Sequence, residues 1–101
     1  MEVQAVKTLF IKTISSIPGV VYVHGTDENI DKNEEVLKEY EYINVKLTPK
    51  GWDFVGSITI LRSIAAKQLI EEIYTQMNFE LKKERQKLNN ITIFVKGVKS
   101  A

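Results

Sequence analysis

The 101-residue chain contains no cysteine. Disulfides, thiolate metal sites, cysteine-ligated iron–sulfur clusters and a cysteine nucleophile are therefore excluded. The absence suits a cytosolic protein. Histidine occurs once, as His24. A single imidazole could act as base, ligand or pH switch. No motif supplies the serine, base and orienting group that nucleophilic catalysis requires, and His24 reads as the polar end of a strand. The five glycines (19, 25, 51, 56 and 97) contain neither a G-x-x-G clamp nor a phosphate-cradling loop. No run approaches the roughly 18 to 20 apolar residues of a membrane span. The first residues, Met1-Glu-Val-Gln-Ala-Val-Lys7, lack the basic and apolar regions of a secretory signal. A formal net charge of +1 gives no global attraction to nucleic acid or anionic lipid. The expectation is a cytoplasmic protein with no catalytic, metal or cofactor residues.

What is present is pattern. Tyr42 to Ile60 reads as a β-hairpin turning at Thr48-Pro-Lys-Gly51. Its first strand alternates Ile43, Val45 and Leu47 with Asn44 and Lys46. The second puts Trp52, Phe54, Ile58 and Ile60 on one face, opposite Asp53, Ser57 and Thr59. Before it, Val3, Val6, Leu9, Phe10, Thr13 and Ile14 form the stripe of an amphipathic helix ended by Pro18-Gly19. A short strand, Val20 to His24, follows.

After the hairpin, Ser63 is the expected N-cap of a long helix with Ala66, Leu69, Ile70, Ile73, Tyr74 and Met77 on its buried side. That helix is expected to run on, frayed or bent, to Asn89-Asn90. A closing strand covers Ile91 to Lys96. The sequence thus predicts a single α+β domain over 1–101: a two-layer sandwich, order α-β-β-β-α-β, with two helices on one face of a four-stranded sheet.

Charge is distributed unevenly. Thr26 to Glu41 carries seven acids against Lys32 and Lys38 and reads as an acidic loop insertion, with a short helix conceivable around Val36, Leu37 and Tyr40. Its string Asp27-Glu-Asn-Ile-Asp31 opens like a calcium loop. Lys32 then stands where the loop needs glycine, and Lys38 where it needs a bidentate glutamate, so no calcium site is expected.

Between Lys82 and Lys99 there are six bases and only Glu84. Lys82, Lys83, Arg85 and Lys87 are the candidate partner surface, and the opposite signs of the two stretches allow self-association.

Lys50-Gly-Trp-Asp-Phe-Val55 resembles the first ribonucleoprotein signature of RRM domains, in which strand aromatics stack RNA bases. This gives an alternative, RNA binding on Trp52 and Phe54 or at the basic end. Against it, exposing Trp52 and Phe54 would bury Asp53, an expensive placement for a carboxylate.

Three pieces in order resemble the alkaline shock protein family of Gram-positive and related bacteria. They are the helix ending in Ile17-Pro-Gly-Val20, the hairpin Ile43 to Ile60 running into a long amphipathic helix, and the closing strand Ile91-Thr-Ile-Phe-Val-Lys-Gly-Val98. The acidic insertion and Phe79 to Leu88 depart from the family pattern. The bias toward lysine, isoleucine and asparagine resembles that of an AT-rich genome of mycoplasma type. The resemblance implies a small α+β protein without enzymatic activity, linked to envelope stress and held at the membrane periphery by a membrane-anchored partner.

Overall fold

A computed structural model describes residues 1–25 and 43–100. The acidic stretch, its calcium-like string and the helix considered around Val36 lie outside these residues. The elements are α1 (Val3–Ser16), β1 (Val20–Val23), β2 (Asn44–Thr48), β3 (Gly51–Leu61), α2 (Ala66–Lys83) and β4 (Leu88–Lys99). The order is the expected α-β-β-β-α-β.

The sheet is built around β3. Along one side it pairs in parallel with β4, from Trp52↔Leu88 to Leu61↔Lys99. Along the other it pairs antiparallel with two strands in succession: β2 over its first half (Asn44↔Val55 to Thr48↔Gly51) and β1 over its second (Val20↔Ile60 to Val23↔Ile58). Four strands thus make a sheet three strands wide. The parallel pair requires a crossover, and α2 supplies it.

The tight β2–β3 turn is held by Thr48, whose hydroxyl donates to the Gly51 carbonyl at 2.7 Å. Gly51 has φ +133°, and a Cβ there would stand 2.7 Å from the Lys87 carbonyl oxygen. Glycine therefore serves both the turn and the close approach of β4.

Both helices cover the same face, α1 against β1 and β2 and α2 against β4. The core comprises Val6, Phe10, Ile14 and Ile17 from α1 and its end, Leu69, Ile73, Met77 and Leu81 below α2, Trp52, Phe54, Ile58 and Ile60 from β3, and Val23 of β1 and Ile43 just before β2. Each large side chain so buried contributes about 1.5–3 kcal/mol. Phe10 and Phe54 meet with ring centroids 4.6 Å apart and planes tilted by 32°. Thr13 is buried among them, and its hydroxyl donates to the Leu9 carbonyl at 2.7 Å.

Three local expectations are corrected. Ser63 does not cap α2: the helix starts at Ala66 behind Ala65, which makes no side-chain cap. Residues 62–65 are instead used to turn the chain, with the Ile64 amide bonded to Leu61 and the Ile64 side chain packed against Gly19. Tyr74 is not core but 45% exposed, because the buried row is 69, 73, 77 and 81 and Tyr74 lies one step round the helix. Helix does not reach Asn89; it stops at Lys83, and β4 begins three residues earlier than expected.

Gly56 leaves room for the Phe10 ring, since a Cβ there would approach Phe10 Cε2 to 3.2 Å. Gly56→Val should therefore overpack the α1–β3 contact and lower stability by about 1–3 kcal/mol, read as a reduced urea midpoint. An unchanged midpoint would contradict this packing.

Candidate interaction surface at the start of β4

The basic segment is shaped by how α2 ends. Arg85 adopts φ +58°, a left-handed conformation, as the only described non-glycine residue with positive φ. Its amide donates to the Lys82 carbonyl at 3.0 Å, and the Gln86 amide to the Leu81 carbonyl at 2.8 Å. These two bonds form a Schellman motif, a helix stop in which glycine usually takes the left-handed position. Lys82 and Lys83 occupy the last helical turn, where cations complement the helix dipole.

The turn is also tied to the core. Gln86 accepts a hydrogen bond from the Trp52 indole at 2.9 Å, so the buried ring has its polar edge satisfied. Trp52 donates its backbone amide to the Lys87 carbonyl at 2.8 Å. Two residues on, Asn89 donates to the Asp53 carboxylate at 2.6 Å. Lys82, Arg85 and Lys87 are exposed around this fixed frame.

Lys83 is engaged on its own helix. It pairs with Glu80 at 2.9 Å and lies 5.1 Å from the centroid of the Phe79 ring. Its hydrogen bond holds the Glu80 carboxyl below the usual value; desolvation opposes this, while the Lys83 charge and Gln76 add to it. With the folded pKa lowered, any stability from this contact is present above the unfolded value and lost as pH falls through the folded one. The four bases singled out from sequence thus share one corner, with three projecting freely and Lys83 partly committed.

The aromatic pair goes elsewhere. Trp52 and Phe54 are each 1% exposed beneath the helices and offer no ring face to a base. Asp53, on the opposite phase, reaches the second face of the sheet, where it meets Asn89. His24 is on that face too. Its Nε2 lies 2.8 Å from the Thr59 hydroxyl, and its ring meets Tyr22 edge-on at 4.9 Å. His24 stands one residue past the end of β1.

A shallow recess between the helices is lined by Ser16, Pro18, Glu71, Thr75 and Gln76 among others. No group of three or more acidic or histidine side chains among the described residues is arranged to hold a metal ion, and no described helix is long and apolar enough to cross a membrane. Sequence reasoning did not find Gln86 as the anchor of Trp52, because neither residue type nor spacing marks a contact across 34 positions.

The chain matches no family model, no curated protein and no solved structure.

Arg85→Gly should relieve the left-handed strain and raise stability by about 0.5–1 kcal/mol, measured as a higher urea midpoint by Trp52 fluorescence. A lower midpoint would mean that the helix does not end in this way.

Proposed function

We propose that the protein is a non-catalytic interaction module that recruits an acidic protein partner through Lys82, Arg85 and Lys87. The observation that carries this is the corner itself: three exposed cations on a turn fixed by a Schellman motif and by the Gln86–Trp52 hydrogen bond. A fixed backbone beneath the charges spares the cost of ordering the turn on binding, which is where a docking surface differs from a frayed helix end. The likeness to the alkaline shock protein family adds the setting. In this reading the protein works in the cytoplasm, at the membrane periphery, on a membrane-anchored partner in the response to envelope stress.

RNA would be drawn to the same charge. Stacking on the sheet, however, needs open rings. Trp52 and Phe54, the pair that the ribonucleoprotein-like string offers, are in the core and closed to a base. A protein partner is therefore favoured.

A photo-crosslinking amino acid at Lys87 tests this in cells. The expected product is a covalent adduct with a membrane-anchored protein, lost in the Lys82→Glu, Arg85→Glu double variant while its thermal unfolding is unchanged. Adducts with RNA alone would overturn the proposal.

A further inference from the structure

β4 is a twelve-residue strand at the edge of the sheet. Among the described residues it pairs only with β3. Its outer side can be worked out from the bonds at its two ends. Trp52 and Arg62 both donate their amides toward β4, to the carbonyls of Lys87 and Lys99 at 2.8 and 2.9 Å. On the opposite side of β3, Leu61 donates to Gly19 and Ser57 accepts from His24. Even-numbered residues of β3 therefore bond to β4. In a parallel pair the residues directly across from them turn their own amides and carbonyls the other way. Those residues are Ile91, Ile93 and Val95, and beyond the local irregularity Val98. The outer edge of β4 is thus a row of backbone donors and acceptors, with no proline and no acidic side chain along the strand.

The edge is flanked by apolar surface. On α2 the row 69, 73, 77 and 81 faces the sheet, and Gln76 and Glu80 share a recess with Leu9, Thr13 and Ser16 of α1. The row one step round on the other side, Ile70, Tyr74 and Asn78, therefore overhangs the β4 edge. Tyr74, Val95 and Val98 are all exposed, at 45%, 37% and 58%. A strand added beside β4 would slide under this overhang and cover all three.

Both ends of the edge are basic. Arg85 and Lys87 stand exposed at its start, Lys99 at its finish.

We infer that the outer edge of β4 takes up an extended acidic segment of the partner protein as a fifth strand. Backbone pairing would run along Ile91, Ile93 and Val95, apolar side chains would lie beneath Tyr74, and carboxylates at the ends would meet the flanking bases. The inference rests on the proposed docking role of the basic corner and names how the partner binds there. Charge decides among occupants of an edge. A second copy pairing antiparallel would bring its Lys99 end onto Arg85–Lys87, and like charges facing each other across strands are destabilising. An acidic segment reverses that sign. Strand addition draws affinity from the main chain and selectivity from such flanking groups.

The test uses the full chain and a short peptide with glutamate pairs at both ends and alternating valine and threonine between. Amide exchange is followed by NMR, and binding by fluorescence anisotropy. In the free chain the amides of Ile91, Ile93 and Val95 are expected to exchange fast, and saturating peptide to slow them about tenfold or more. The same peptide with lysine ends should not bind. Lys87→Glu with Lys99→Glu should weaken binding about tenfold, as should Val95→Pro, which removes an outward amide and leaves the β3 ladder intact. If Val95→Pro unfolds, the charge variant still decides.

Binding without protection of these amides would overturn strand addition while leaving the basic corner as a docking site. Failure of the peptide to bind would also overturn it. So would protection of the same amides without peptide in a species of doubled mass, which would assign the edge to a second copy. Protection by oligouridylate instead of the peptide would assign it to RNA.

Discussion

The phase of β3 governs this molecule. Trp52, Phe54, Ile58 and Ile60 all point beneath the helices, and Asp53 and Thr59 point the other way, to Asn89 and His24. A slip by one residue would send Asp53 into the core and bring Trp52 and Phe54 out of it. Every other strand takes its register from β3, with β2 and β1 sharing one side and β4 the whole length of the other. Gly56 extends the same phase as a space: it is the core-facing position that admits the Phe10 ring.

From that phase the surface features follow. With the Trp52 ring inside, its indole nitrogen needs a partner, and Gln86 provides one from the turn after α2. The turn is thereby fixed relative to the core, and with it the backbone positions from which the cations project. Because β4 runs parallel to β3, it needs the α2 crossover, and that crossover leaves its outer edge bordered by Ile70 and Tyr74. The corner and the edge are adjacent parts of one design: the helix stop delivers the chain into β4.

Much of this architecture was legible in the sequence. The alternation of Ile43 to Ile60 gave the hairpin and its buried face, and the three- and four-residue steps of Val6 to Ile14 gave α1. An objection to an RNA-stacking platform came from Asp53, and the burial of Trp52 and Phe54 agrees with it. The failures lie where tertiary context outweighs local preference. Ser63 has good capping chemistry, yet the chain needs those residues to bring Ile64 onto Gly19. Tyr74 continues the apolar pattern of α2, yet four leucine, isoleucine and methionine side chains already fill its sheet-facing row. Arg85 is an unlikely left-handed residue by type, so the charged run reads as continuous helix until the Schellman bonds are seen. Which edge of the sheet stays open, and the parallel sense of β4, depend on strand order, and periodicity carries no record of that.

Trp52 is the only tryptophan, so its fluorescence reports β3 without ambiguity. The most direct measurement is acrylamide quenching of the folded protein against the urea-unfolded chain. With Trp52 in the core, folded emission should be blue-shifted and quenched several-fold less efficiently than unfolded emission. Equal quenching in the two states would place the ring in solvent and contradict the phase on which this account is built.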